Sequence, residues 1–526
     1  MQAKHGRAPS VLTAATDQQR PPDDPAAGGI VIAVLAAPSR WQTPTSVDRG
    51  DLAIHALAQL PDRVTLQAEV PSSEARSIAL LARAYGIDER VEIASAATSR
   101  VGRAGSAGRG QVTYTSSGAG SPTPFVPGAS SLAELIEGLY HADDEPAALR
   151  DGDDALTGQR VVIVVNRPTH YRVALFNRLA ERLATFGSTL CVLFTTDLRA
   201  RPWMRPEPMA FEHVGVGSSI APTGMPEVCV DLERRLRQMR PTLLLAGSLS
   251  PAIGGRVAHF AQRHHIAFGV WTGEIDTSPT SGGRLRRLQR QWILRRCHFA
   301  VAYGYRAREY LRAVAPALPV VYGRNTSPFE PPPNRSSRDA PVEILAVSQA
   351  IPRKRLDLAI DAVCGLDDGA CRLTIIGSGP CLETLRARAH GHDNVSVLGL
   401  IGSDRVLEAY RDADIFLFPS GYDLFGLVLV EAMGCGLATV VSVHPGAVAD
   451  LAVSGRNCIV VEEPSPESWT AAVGELVRRP TLRTSLGAAG HATIRRRWTV
   501  DHGADAIAAG LRLGVLASAG GHRAHR

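Results

Sequence analysis

The stretch 414–434, DIFLFPSGYDLFGLVLVEAMG, holds the residues best spaced for chemistry. An apolar strand ends at Pro419-Ser420, a loop carries Asp423, and a helix begins near Phe425-Gly426-Leu427. The N–H groups at such a helix start form a site for a diphosphate, helped by the helix dipole. Glu431 follows Asp423 by eight residues, about two helical turns. That spacing sets the two carboxylates on either side of the phosphate site, one suited to hexose hydroxyls and the other to ribose hydroxyls. Taken alone, such a pair reads as readily as an N-cap Asp and a solvated helix Glu. The residues around it give it meaning.

The elements that must position these groups are legible as alternation. In 342–478, apolar runs such as VEILAV, RLTII, DIFLF and ATVVS alternate with helical periods at 355–364, 381–390, 403–411, 426–434 and 466–478. A similar alternation starts at 161–165 (VVIVV) and runs through a helix at 172–186 and strands at 189–195, 242–246, 266–271 and 298–302. Strands alternating with helices predict parallel sheets with right-handed crossovers, which bind ligands at the carboxyl ends of their strands. The Pro-rich segment 329–341 separates the two units. Upstream, 30–36, 63–68 and 91–94 read as strands, with helices at 51–60 and 73–85 between them. Residues 98–130, rich in Gly, Ser and Ala, read as a linker or long flexible loop. The segment 51–94 resembles 357–397 in pattern, but where the latter has Gly377-Ser378-Gly379-Pro380, the former has Glu69-Val70-Pro71-Ser72. It therefore lacks the glycines that let a phosphate approach backbone; the similarity also fits a coincidence of two generic patterns. The expected organisation is a disordered tail at 1–28, a degenerate partial α/β module at 29–157, an acceptor domain at 158–328, a donor domain at 342–495, and a return helix and disordered tail at 496–526.

The long pattern around Asp423 resembles the family 4 retaining glycosyltransferases. Their signature is a loop acid, Pro-Phe-Gly-Leu, then a helix Glu, Ala and Met; this chain has Asp423, Leu424, Phe425, Gly426, Leu427, then Glu431, Ala432, Met433. IIGSGP (375–380) is similar to the family's glycine turn, with Gly377 and Gly379, and ADIFLFPS (413–420), ending at Ser420, to its strand before the acidic loop. PRKR (352–355) resembles its basic diphosphate clamp, and 495–511 its final helix, which crosses back to the first domain. The resemblance covers about 342–510 well and 158–330 more weakly. It implies a GT-B fold, an α/β architecture of two doubly wound Rossmann-like domains facing a cleft, here preceded by the smaller partial module. It also implies transfer of a hexose-type sugar from a nucleotide-sugar donor to a glycan or lipid-linked acceptor, with retention by front-face attack. Glu431 is then expected to hold ribose, Asp423 the sugar, and Arg353 with Lys354 the diphosphate, assisted by the amides of Phe425 to Leu427. The resemblance further implies that no metal or other cofactor is used, so positive side chains and helix amides must stabilise the leaving group. Four departures stand out: Ser348-Gln349 at the family's Gly-Arg, Asp423 for Glu, His444-Pro445-Gly446 with Asp450 where Gly-Gly and a Glu are frequent, and Asn457-Cys458 for Asn-Gly.

The first unit should supply the acceptor side. Its strand 161–165 leads into Asn166-Arg167-Pro168-Thr169-His170-Tyr171-Arg172, which resembles a bacterial polysaccharide-assembly branch of the family. His170 and Arg172 are expected to face the cleft; a surface-loop histidine is the plainer reading. Glu274, in WTGEIDTS after a strand, is a candidate acceptor-binding or catalytic residue, or else an exposed loop acid. The candidate catalytic residues are thus Asp423, Lys354, His170 and Glu274. The helix 284–296, RLRRLQRQWILRR, sets Leu285, Leu288 and Trp292 on one face and Arg284, Arg287, Arg290 and Arg295 mainly elsewhere. It suits peripheral contact with anionic lipid or a packed helix with a solvated Arg face.

Composition narrows the rest. The chain has 526 residues, a net charge of +6 and eight cysteines. No C-x-x-C pair or zinc-ligand spacing occurs, so the cysteines are expected to be reduced core residues. The first 29 residues have no apolar signal region, and no run reaches the ~20 apolar residues of a membrane span. A cytoplasmic protein, peripheral at most to the inner face of the plasma membrane, is expected. The mild charge and lack of aromatic interleaving argue against nucleic acid. Two rival readings are a nucleotide-sugar epimerase on the same fold and a non-catalytic scaffold or regulatory subunit in polysaccharide assembly, the latter favoured by Gln349 and the degenerate first module.

Overall fold

The computed structural model describes the backbone of four strands within 1–153, and then 154–195, 208–215, 231–276, 283–328, 341–366 and 369–523. The chain divides into two compact units, Met1–Asp153 and Asp154–Arg526.

In the first unit, β1 (Val31–Leu35), β2 (Val64–Val70), β3 (Val91–Ser95) and β4 (Gln111–Ser116) form one sheet in the order β1-β4-β2-β3. β2 and β3 pair in parallel, as expected for neighbours in an αβαβ unit. β4 runs antiparallel between β1 and β2. This corrects the reading of 98–130 as linker throughout: QVTYTS is rich in β-branched and aromatic residues, and the flanking glycines masked it. The expected helices at 51–60 and 73–85 and the tail at 1–28 lie outside the described residues.

The second unit contains two parallel sheets. The first has seven strands: β5 (Arg160–Val165), β6 (Thr189–Phe194), β7 (Glu212–Gly215), β8 (Leu243–Ala246), β9 (Ala267–Thr272), β10 (Phe299–Ala302) and β11 (Val320–Tyr322), ordered β11-β10-β9-β8-β5-β6-β7. Its helices are α1 (His170–Ala184), α2 (Leu232–Met239), α3 (Arg256–Arg263), α4 (Arg284–Leu294) and α5 (Tyr305–Val314). The second sheet has β12 (Val342–Val347), β13 (Cys371–Ile376), β14 (Val395–Gly399), β15 (Ile415–Phe418), β16 (Ala438–Ser442) and β17 (Ile459–Val461), ordered β14-β13-β12-β15-β16-β17. Its helices are α6 (Leu356–Cys364), α7 (Leu382–Ala389), α8 (Ser403–Asp412), α9 (Leu427–Gly434), α10 (Val448–Leu451), α11 (Pro466–Arg478) and α12 (Pro480–Arg497). The last helix is α13 (Val500–Arg523).

The central strands are continuous apolar runs because helices cover both faces. Val161 to Val165 and Ile415 to Phe418 are all buried. Strand order reverses between β12 and β15, and the chain leaving each of these strands enters the gap so formed. The expected final helix at 495–511 is two helices broken near Trp498, and α13 continues past 511 to Arg523. α13 packs on α1 and on the first sheet. Asp501 and Asp505 of α13 pair with Arg182 of α1. Trp498, buried at the break, stacks on Phe425 at 6.1 Å and donates its indole N–H to the Asn325 carbonyl.

Of the cysteines, Cys191, Cys371, Cys435 and Cys458 are buried, and Cys297, Cys364 and Cys381 half-buried, all as free thiols; Cys229 lies outside the described residues. Burial pushes the Cys191 and Cys371 thiols up to about 11. Among the described residues, no helix is long and apolar enough to cross a membrane.

Candidate functional site

Two loops leave the central strands of the second sheet and lock together. After β12, Ile351 is extended and Pro352–Lys354 form a single tight turn, closed by Arg355 in a left-handed conformation. After β15, Ser420 is fully buried and donates from its hydroxyl to the Tyr422 carbonyl, which shapes the acidic loop. The Gly421 N–H donates to the Arg353 carbonyl (2.8 Å), and Arg353 Nη1 donates back to the Tyr422 carbonyl (2.5 Å). The Lys354 ammonium, 8% exposed, pairs with the Asp423 carboxylate. Arg353 Nη1 lies 3.9 Å from the other Asp423 oxygen. Burial lowers the Lys354 pKa, against the opposing pull of Asp423. The basic turn and the acidic loop, far apart in sequence, are thus one cluster.

Glycines shape the walls. Gly377 has φ +148°, and a Cβ there would collide with the Ser348 carbonyl oxygen. The Ser348 N–H and Ala350 N–H donate to the Ile376 and Ser378 carbonyls, so the turns after β12 and β13 run side by side with no room for side chains at Gly377 and Gly379. Gln349 on this turn is exposed. At the start of α9, Gly426 has φ +106°, and a Cβ would sit 2.7 Å from the Phe418 ring. Gly426 has no side chain to cap the first turn of α9; the Leu429 N–H turns back to the Gly426 carbonyl (3.0 Å), and the Leu427 and Val428 amides that lead the helix suit an anion. Phe425 is buried beneath that turn. The Gly446 and Ala447 N–H groups donate to the Asp423 and Phe425 carbonyls, so the His444-Pro445-Gly446 loop braces the acidic loop from behind.

Glu431 is not the solvated helix residue its isolated spacing allowed. It is 7% exposed and accepts from Ser327 Oγ (3.2 Å) and Tyr410 OH (3.1 Å). Burial, then the Glu431 charge, pushes the Tyr410 phenol well above its ordinary value, which keeps it a donor. His170 Nε2 lies 3.7 Å from Glu431 Oε1, so His170 faces the second lobe across the cleft rather than only solvent. Arg172 donates to Asn166 Oδ1 (2.5 Å) and to the Arg167 carbonyl (3.2 Å), and its guanidinium lies 5.9 Å from the centres of both the Tyr171 and Trp271 rings.

Glu274 follows a different course. It sits past the carboxyl end of β9, but its Oε1 is 2.9 Å from Arg290 Nη2 and the pair is largely buried. It is therefore not the exposed loop acid of the plainer reading; its pairing with Arg290 ties α4 to the strand end. Ser327, Tyr410, Tyr422 and Trp498 were missed in the sequence. Ser327 lies in the Asn325-Thr326-Ser327-Pro328 run between the two lobes of the second unit, and its meeting with Glu431 is a product of how the lobes close.

The lobes meet again at Asp450. Its Oδ1 accepts from the Tyr305 backbone N–H (2.8 Å), capping α5 from the other lobe, and from the Tyr322 hydroxyl. Arg306 donates to the His444 and Val443 carbonyls. Burial raises the Asp450 pKa to about 7, against Tyr322, Tyr305, Arg306 and Arg324.

Two parallel Rossmann-like lobes, with a basic and acidic cluster at the switch point of the second, define a nucleotide-binding α/β architecture of the GT-B type. Residues 331–493 match the model of the family described as Glycosyl transferases group 1. The chain is 30% identical over 309 residues to a GDP-mannose-dependent alpha-(1-6)-phosphatidylinositol monomannoside mannosyltransferase of Mycolicibacterium smegmatis, covering 53% of this chain and 76% of that protein. It is 29% identical over 232 residues to the protein of the same description from Mycobacterium tuberculosis, covering 40% of this chain and 60% of that one. Among solved structures, sucrose-phosphate synthase from Thermosynechococcus elongatus has the same fold, with a TM-score of 0.54 at 16% identity over 66% of this chain and 96% of that one. This chain belongs to the group 1 glycosyl transferases.

Proposed function

We propose that the chain transfers a hexose, with mannose from GDP-mannose the first candidate, to a lipid-linked glycan acceptor with retention of configuration. The observation that carries this reading is the joining of Arg353, Lys354 and Asp423 at the uncapped start of α9, with Glu431 further along the same helix. The mannosyltransferase relatives support the choice of donor and acceptor. In this reading the diphosphate lies against Arg353, Lys354 and the leading amides of α9, Asp423 receives sugar hydroxyls, and Glu431 receives ribose. Donor entry then exchanges the Lys354–Asp423 pair and the contacts on Glu431 for contacts with substrate. The departing diphosphate guides attack from the same face, and the charge it gains is held by cationic side chains and amides. A metal is not needed for that, so turnover in the presence of excess EDTA should equal turnover without it.

The test is a panel of nucleotide sugars offered with a lipid-linked mannoside, read by product formation, with nucleoside diphosphate affinity read by calorimetry. Glu431→Ala should weaken donor binding by about tenfold or more; unchanged binding and transfer would sink the assignment. One observation favours a second reading, a non-catalytic nucleotide-binding subunit. Gln349 is exposed and uncharged at the position where the family resemblance places an arginine. Tight diphosphate binding with no transfer to any acceptor would select it.

A further inference from the structure

Helix α4 is built with its polarity reversed. Arg290 is 7% exposed, paired with Glu274, and donates from Nη1 to the Tyr310 hydroxyl at 2.6 Å. Ile293 and Leu294 join it on the packed face. The opposite face presents Leu285, 69% exposed, Leu288, 61%, and Trp292, 40%. At 3.6 residues per turn these three fall in a stripe roughly 60° wide, centred opposite the packed face. Among the described residues six large apolar side chains are strongly exposed, and three of them lie on this one helix.

The stripe is edged with cations. Residues 284–296 contain six arginines and no acid. Arg284 and Arg295 flank the stripe on one side by helical position. On the other, the Arg296 guanidinium lies 3.8 Å from the centre of the Trp292 ring, held by the Trp292 carbonyl and by Gln262. The indole is therefore fixed in place. An apolar stripe between cationic edges matches the boundary between acyl chains and phosphates of an anionic bilayer. A nucleic acid offers no apolar phase for Leu285 and Leu288. A second copy would set arginines against arginines.

We propose that α4 is a membrane-surface anchor that seats the first lobe on anionic phospholipid. The Glu274–Arg290 pair ties the anchor to the carboxyl end of β9, on the side where the sheet binds its ligand. Anchoring stands apart from catalysis; only its use in reaching a lipid-borne acceptor rests on the function proposed above.

The experiment is flotation of the full chain with phosphatidylcholine vesicles, with and without phosphatidylglycerol. The unaltered protein should float with anionic vesicles alone, and less so as salt rises. Leu285→Ser, Leu288→Ser and Trp292→Ser together should lower the bound fraction about tenfold or more. Arg284→Gln with Arg295→Gln should lower it too and flatten the salt dependence. Circular dichroism and nucleoside diphosphate calorimetry should be unchanged, since these side chains are exposed. Failure of the unaltered protein to float with anionic vesicles, equal flotation with neutral ones, or undiminished flotation of the apolar variant would overturn the proposal. So would a dimer of the unaltered chain that the apolar variant dissociates without any vesicle binding. Flotation without nucleotide binding would leave the anchor standing and remove the enzymatic reading.

Discussion

Lys354 and Asp423 show why residue identity at this site cannot be separated from burial. An ammonium that is 8% exposed is tolerated only with an anion beside it, and Asp423 supplies one. Burial still lowers the Lys354 pKa, so the pair is held at some cost. Under the proposed function a diphosphate gives Lys354 a second anionic partner. Lys354→Ala should reduce kcat by on the order of 100-fold, as for removal of one fixed donor from a developing charge. Lys354→Arg should recover only part of it, because a planar fork does not replace a compact ammonium. Initial rates at saturating donor measure both; a kcat within about twofold of the unaltered enzyme would remove Lys354 from the mechanism.

At the scale of elements, the site depends on loops being able to approach one another. The turns after β12 and β13 lie so close that the positions of Gly377 and Gly379 exclude any side chain. Gly377→Ala should cost about 2–4 kcal/mol of stability, because the backbone must move or hold a strained positive φ. Thermal unfolding and donor calorimetry should show the loss together, since the displaced turn carries Ser348 and Gln349. Gly283 also has a positive φ, +94°, but a Cβ there would meet nothing within 4 Å, so Gly283→Ala should cost less. The comparison separates steric exclusion from conformational preference. The same scale explains β4: the local signal of a six-residue strand is obscured by its glycine-rich flanks, and its pairing with β1 and β2 is what makes it a strand.

At the scale of the whole molecule, the second unit is two lobes joined by a few contacts: Trp498 against Phe425, Ser327 and His170 at Glu431, and Asp450 at the start of α5. Asp450 makes the joint sensitive to pH. Its pKa rises from 3.8 to about 7 on folding, mainly through burial. A carboxyl with a raised pKa favours the protonated fold, so its contribution is complete below the unfolded value and is lost as pH rises through about 7. Asp450→Asn keeps an acceptor for the Tyr305 N–H and removes the titration. The fall in melting temperature between about pH 5 and pH 8 should therefore be smaller in Asp450→Asn than in the unaltered chain. Parallel pH curves for the two would show that Asp450 is ionised without penalty.

Much of this was legible in the residues. Continuous apolar strands alternating with helical periods determined two parallel sheets, because a strand covered on both faces must be apolar throughout. The order of Asp423, Phe425-Gly426-Leu427 and Glu431 marked the candidate site, since a helix start and a fixed spacing are local properties. The sequence by itself did not determine the partners of those groups. The pairing of Lys354 with Asp423, the burial of Glu431 under Ser327 and Tyr410, the turning of Glu274 onto Arg290, and the outward face of α4 all join residues distant along the chain. Only the tertiary structure decided these, because which carboxylate meets which cation depends on how the strands are ordered and how the lobes close.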